Sequence, residues 1–170
     1  MAEDTEVSIQ DMMQCRDRRV EIQNTFIQKY KNPVISFCMN IPGPVKTNAL
    51  IQKLFAEGKA AILDALTRTQ SAIIETKEFH DTTGDELILC VQNTADFLKT
   101  EMLAIEEKHP LGRLFDIDII DTDGKKRSRA SFRTCLICGR QAQECARSRR
   151  HSVAEMQQKI KTMLSDYFKN

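Results

Sequence analysis

His109-Pro110-Leu111-Gly112-Arg113-Leu114-Phe115-Asp116-Ile117-Asp118-Ile119-Ile120 closes on a β-strand. Aliphatic and aromatic residues dominate from 114 to 120, and Asp121-Thr122-Asp123-Gly124 ends the run. Side chains alternate along a strand, so Asp116 and Asp118 share a face with Leu114 and Ile120. Phe115, Ile117 and Ile119 line the other face, which is the core face. Two carboxylates about 7 Å apart on so apolar a strand repel each other unless a cation sits between them, and Mg²⁺ is the usual one. A polar face turned to water explains the same pattern, because D-x-D alone is a weak motif.

Upstream, Ala95, Leu98, Met102 and Ile105 recur at helical spacing within residues 94 to 107. Before them come two strands, about 71 to 79 and 86 to 91. His80-Asp81-Thr82-Thr83-Gly84-Asp85 joins them as a hairpin with a Gly-Asp turn. A helix from about 48 to 66 buries Leu50, Ile51, Leu54, Phe55, Ile62 and Leu66. Val34-Ile35-Ser36-Phe37-Cys38-Met39 reads as a buried strand. The order from about 33 to 120 is therefore β-α-β-β-α-β. This predicts an α+β protein with a ferredoxin-like core, an antiparallel sheet with helices on one face. An N-terminal helix and a basic, Cys-containing C-terminal extension ending in a helix are added to it.

The added helix spans 8 to 30. Met13, Val20 and Ile27 form one stripe, and Ile9, Arg16, Gln23 and Tyr30 form a second beside it. Arg16 and Gln23 then lie on or beside the apolar face, with Arg19 at its edge and Arg18 pointing elsewhere. An inward guanidinium needs a partner, either an internal carboxylate or an anionic ligand. The loop Asn40-Ile41-Pro42-Gly43-Pro44-Val45-Lys46 leads from strand to helix, capped at Thr47 or Asn48. Such a loop with a lysine can hold a phosphate, although it lacks the G-x-x-x-x-G-K spacing and most loops of this kind bind nothing.

The 170 residues suit one domain, 1-170. The net charge of +1 argues against a general polyanion binder, but residues 125 to 150 carry nine basic side chains against one acid, Glu144. That asymmetry points to a polyphosphate, a nucleic acid or an acidic protein. No apolar run approaches membrane-spanning length, and the acidic N-terminus lacks a signal-like core, so a cytoplasmic protein without membrane attachment is expected. Six irregularly spaced cysteines fit reduced thiols. Cys135, Cys138, Cys145 and His151 spell C-x₂-C-x₆-C-x₅-H. Their atom types suit structural zinc, but the spacing is off the common finger patterns, and free thiols in a small core are the favoured reading. Ser152 and Glu155 form a capping-box pattern for a last amphipathic helix.

Several strings together resemble one family, the holo-citrate lyase synthases, which are phosphoribosyl-dephospho-CoA transferases. They are Arg16-Asp17-Arg18-Arg19 with Gln23, Ser36-Phe37-Cys38-Met39-Asn40-Ile41-Pro42-Gly43-Pro44-Val45-Lys46, and His109 through Asp118. Cys135-Leu136-Ile137-Cys138-Gly139 and Cys145-Ala146-Arg147-Ser148-Arg149-Arg150-His151-Ser152 complete the set. The resemblance implies a single transferase domain. Its donor would be 2′-(5″-triphosphoribosyl)-3′-dephospho-CoA, its acceptor a serine of the citrate lyase acyl-carrier (gamma) subunit, and pyrophosphate would leave. It further implies Asp116 and Asp118 as Mg²⁺ ligands, with these aspartates or His109 as candidates for the general base. Arg16, Arg19, Gln23, Lys46 and Arg113 would bind donor, joined by Arg147, Arg149, Arg150 and His151. The rival reading is a ferredoxin-like nucleic-acid-binding module with a basic tail. It is weakened by two tyrosines, no tryptophan and no base-stacking motif.

Overall fold

Val34–Met39 (β1), Ala72–Asp81 (β2), Gly84–Gln92 (β3) and Phe115–Ile120 (β4) pair antiparallel in the order β2-β3-β1-β4. The computed structural model describes residues 4–169; residues 1–3, the start of the acidic N-terminal stretch, and residue 170 lie outside it. The described helices are Ile9–Tyr30 (α1), Ala49–Arg68 (α2), Ala95–Lys108 (α3), Ala142–Arg147 (α4) and Val153–Phe168 (α5), with one 3₁₀ turn at Gly112–Leu114. The protein is thus α+β, with the element order read from the sequence between 33 and 120.

The sheet buries both faces. Ile35, Phe37, Leu87, Leu89, Val91, Phe115, Ile117 and Ile119 meet α2, α3 and α5 in the main core. Alternate residues face α1 instead, where Val34, Ile88, Cys90 and Ile120 pack on Phe26 and Ile27. The N-terminal helix is therefore a third layer on the opposite side from the other helices. Side-chain caps define the helix starts. Ser8 and Asp11 form a capping box on α1, as Ser152 and Glu155 do on α5, and Asn48 caps α2.

Three expectations are corrected here. The two predicted stripes of α1 face solvent in large part, with Met13 59% and Val20 51% exposed and Ile9 more so. Its buried positions are Cys15, Gln23, Phe26 and Ile27, because the sheet surface beneath its N-terminal half is polar. The hairpin turn is Thr82-Thr83, not Gly-Asp: Asp81 pairs with Gly84, and Asp85 and Glu86 lie inside β3, both buried. Leu114 belongs to the 3₁₀ turn and to the main core rather than to the aspartate face.

Gly112 sets the approach to β4. A Cβ there would meet the carbonyl oxygens of Glu106 and Ile105, the latter at 2.6 Å. Backbone atoms at the end of α3 have nowhere to retreat, so Gly112→Ala is expected to cost about 2 kcal/mol or more. Chemical denaturation with an unchanged m-value is the measurement.

Candidate active site

Strand register gathers the polar groups of the α1-facing surface into rows. Cys38 on β1 pairs with Glu86 on β3 and with Asp116 on β4, so these three side chains stand abreast. Ile88, Ser36 and Asp118 form the next row, and Cys90, Val34 and Ile120 the third. Helix α1 runs across these rows, one turn to each. Arg19 donates to Glu86 Oε1 at 2.7 Å, and Cys15 Sγ donates to the same oxygen at 2.6 Å. Gln23 Nε2 donates to Ser36 Oγ at 3.0 Å. Phe26 and Ile27 then close the apolar row.

At the open end of the first row lies a cavity of about 180 Å³ whose lining includes Arg16, Arg19, Lys46, Cys38, Glu86 and Asp116. Four residues singled out from the sequence thus meet in one place, supplied by α1, the 40–46 loop and β4. Their electrostatics are unbalanced. Arg16 is exposed and Lys46 half-buried, and neither makes an ion pair among the described residues. Lys46 Nζ donates to the Ile41 carbonyl at 2.7 Å. Burial, and then the nearby Arg16 charge, push its ammonium below the usual lysine range. Two cations held together without a counter-ion form a receptor for an anion.

Asp116 carries the complementary imbalance. Among the described residues it has no cation at ion-pair distance, and its contact is Cys38 Sγ at 3.9 Å. Burial first, and then the Asp118 charge, raise its carboxyl above the ordinary aspartate value. Burial and the Asp116 charge in turn push the Cys38 thiol up to about 12, so it stays protonated. Asp118 is tied to Lys126 at 2.8 Å. Two carboxylates on one half-buried strand face, with a single lysine paired to Asp118 alone, fit a divalent cation, since Mg²⁺ takes one or two protein carboxylates plus phosphate and water oxygens.

Other predicted residues lie elsewhere. Gln23 is buried against Ser36 and does not line the cavity, so it braces the helix on the sheet. His109 sits on the core side of β4, its ring against Phe115 and Tyr167 at centroid distances of 5.0 and 5.9 Å. Its Nδ1 accepts the Leu111 N–H at 3.0 Å. Asp116 points to the opposite face, so the two are separated by the sheet. Arg113, Arg149 and His151 line a second cleft of about 530 Å³ with Pro42, Leu136 and Met156. Arg147 and Arg150 are exposed outside it. The 40–46 loop reaches both clefts, through Asn40, Ile41 and Lys46 on one side and Pro42 on the other, and the turn into β4 does the same through Arg113 and Asp116. Gln157 on α5 holds that loop by donating to the Pro42 carbonyl at 3.4 Å.

Glu86 is the residue that sequence reading missed. It is 2% exposed, anchors Arg19, and leaves its Oε2 buried with no partner among the described residues. A glutamate at the first position of the predicted 86–91 strand reads as a solvent-facing strand end, and only the alternation from Glu86 to Ile88 and Cys90 signals its face. The basic run is also partly neutralised: Lys126, Arg127, Arg129 and Arg133 pair with Asp118, Asp121 and Asp96, Glu106 and Glu107, and Glu106. Cys135, Cys138 and Cys145, expected as ordinary thiols, and His151, expected to bind the donor, form a compact Cys₃His group. Their ligand atoms lie within 4.8 Å of one another.

Residues 7–167 match the family described as apo-citrate lyase phosphoribosyl-dephospho-CoA transferase. The chain belongs to this family. A "Probable apo-citrate lyase phosphoribosyl-dephospho-CoA transferase" of Vibrio cholerae serotype O1 (strain M66-2) is 38% identical over 169 residues, covering 96% of this chain and 95% of the relative. The "Apo-citrate lyase phosphoribosyl-dephospho-CoA transferase" of Citrobacter koseri is 32% identical over 164 residues, 94% of this chain and 90% of that one. One from Escherichia coli O1:K1 / APEC is 30% identical over the same shares. Membership of this transferase family gives the nucleic-acid reading no support. No helix among the described residues is long and apolar enough to cross a membrane.

Proposed function

We propose that this chain transfers the 2′-(5″-phosphoribosyl)-3′-dephospho-CoA group from its triphosphate precursor to a serine of the citrate lyase acyl-carrier (gamma) subunit, releasing pyrophosphate. Family membership supports the overall reaction. The observation that carries the assignment of the site is the meeting of Arg16, Arg19 and Lys46 with Asp116 at one end of the sheet. On this reading the core is ferredoxin-like, which the strand order β2-β3-β1-β4 favours, and the protein works in the cytoplasm.

Arg16 and Lys46 bind the oxygens of the triphosphate, which relieves their mutual repulsion. Arg19, oriented by Glu86, offers its remaining N–H groups to the same anion. Arg113, with Arg147, Arg149 and Arg150 around the second cleft, serves the remainder of the long donor or the carrier protein. Asp116 and Asp118 would hold Mg²⁺, which when bound would supply charge neutralisation for the phosphate oxygens. The serine oxygen attacks the phosphorus that stays with the ribosyl group, in line with the departing pyrophosphate. His109 acts as a positioning residue, fixing the 3₁₀ turn from which Arg113 and β4 emerge.

Mass spectrometry of apo acyl-carrier subunit incubated with this chain, the triphosphoribosyl donor and Mg²⁺ tests the reading. The expected product is a serine adduct of the phosphoribosyl-dephospho-CoA mass, formed with pyrophosphate and lost when divalent ions are chelated. No adduct under any divalent ion would overturn it.

A further inference from the structure

We infer that Cys135, Cys138, Cys145 and His151 form a closed structural Zn²⁺ site that fixes the C-terminal arm on the core, a role separate from the transfer reaction. The ligand atoms carry the first part of the case. All four lie within 4.8 Å of one another, with Cys138 Sγ and Cys145 Sγ 3.5 Å apart. A tetrahedral ion with Zn–S bonds of about 2.3 Å puts its sulfurs about 3.8 Å apart, whereas a disulfide needs about 2.05 Å. His151 Nε2 is buried with no hydrogen-bond partner among the described residues, a need that a metal bond would satisfy.

Local backbone is shaped to present these atoms. The Thr134–Gln141 bridge and the Gly139 N–H donated to the Cys135 carbonyl at 3.1 Å close a tight turn, with Gly139 at φ +74°. The Ile137 N–H points at Cys135 Sγ at 3.5 Å. Helix α4 supplies Cys145, and its end is tied back by the Arg150 N–H to the Cys145 carbonyl at 3.1 Å. His151 directly precedes Ser152, the cap of α5. One ion would therefore join the turn, α4 and the start of α5.

Stability gives a second, independent argument. Between residues 121 and 152 the buried residues are Cys135 and Cys145, and both are ligands. A stretch of this length with no other buried side chain cannot offset its ordering entropy by hydrophobic burial. The six-residue α4 is far below the length at which a helix stands alone. Metal binding supplies what the missing core does not. Three thiolates and one imidazole select Zn²⁺ over Mg²⁺, and four protein ligands leave no open position for chemistry. The resulting −1 charge suits the neighbouring Arg140, Arg147, Arg149 and Arg150, which form no ion pairs among the described residues.

The full chain, purified without a metal-affinity tag, loaded with ZnCl₂ and desalted, is assayed by elemental mass spectrometry. One zinc per chain is expected, with the three thiols protected from an aromatic disulfide reagent until a strong chelator is added. Chelation should open protease cleavage confined to residues 121 to 152. Cys138→Ser and His151→Ala should lose the zinc, while His151→Cys, which restores a fourth ligand, should retain it. Circular dichroism checks that each variant keeps its helices. Zinc absent from the loaded protein, or equal retention in Cys138→Ser and the unmodified chain, would overturn the inference.

Discussion

Asp116→Asn should lower the transfer rate by on the order of a hundredfold or more while making the metal-free protein more stable. The opposite signs come from one cause. Burial and the Asp118 charge raise the Asp116 carboxyl above its ordinary value, so the folded chain holds that proton more tightly than the unfolded chain. Linkage then makes stability fall as pH rises from the ordinary aspartate range through the raised folded value. Above that window the ionised carboxylate is a net cost, and asparagine removes it. At neutral pH the variant should therefore melt at a higher temperature than the unmodified protein. In acid the two curves should converge. MgCl₂ should raise the melting temperature of the unmodified protein and leave the variant unmoved. Calorimetry across pH, with and without Mg²⁺, reads all of this. A variant that is less stable at every pH would mean that Asp116 is a structural acceptor, and near-normal transfer would remove it from the site.

The aspartate strand was legible because its two faces differ so sharply in chemistry. Phe115, Ile117 and Ile119 had one interpretation, and the aspartates could be assigned to the other face from alternation alone. What covers that face was not legible. Helix α1 has apolar residues at Ile9, Met13 and Val20 that solvent receives, while Cys15, Arg19 and Gln23 turn inward. The reason lies in the partner surface, where Glu86, Ser36 and Cys38 demand polar complements, and a periodicity of hydrophobicity carries no record of a polar contact. The zinc-type group illustrates a different limit. Its spacing resembles no common finger, and only the fold of the 134–141 turn and α4 brings the four atoms together. The β-α-β-β-α-β order, in contrast, needed nothing beyond helical and strand periods separated by Pro, Gly and Asp.

Arg19→Ala should be the most destabilising single change in the cavity, by about 3–5 kcal/mol, because it strands a buried carboxylate. Glu86 is 3% exposed at its side chain, and Arg19 is its partner at 2.7 Å. Burial alone would weaken the Arg19 charge, and the Glu86 carboxylate overrides that effect to keep it firmly protonated. Arg16 is the contrast: exposed and unpaired, it should change stability by no more than about 0.5 kcal/mol when replaced by alanine, yet raise the donor KM markedly. Loss of transfer in Arg19→Ala is therefore ambiguous by itself, and a paired replacement resolves it. Arg19→Met combined with Glu86→Leu removes both charges while filling the volume, and should recover most of the lost stability, as apolar replacements of buried ion pairs often do. If Arg19 also holds phosphate, the stable double variant will still bind the triphosphate donor weakly. If its role ends at Glu86, donor binding will return with the fold. Urea denaturation of the two single variants and the double variant, alongside donor titration, separates the ion pair's structural work from its service to the ligand.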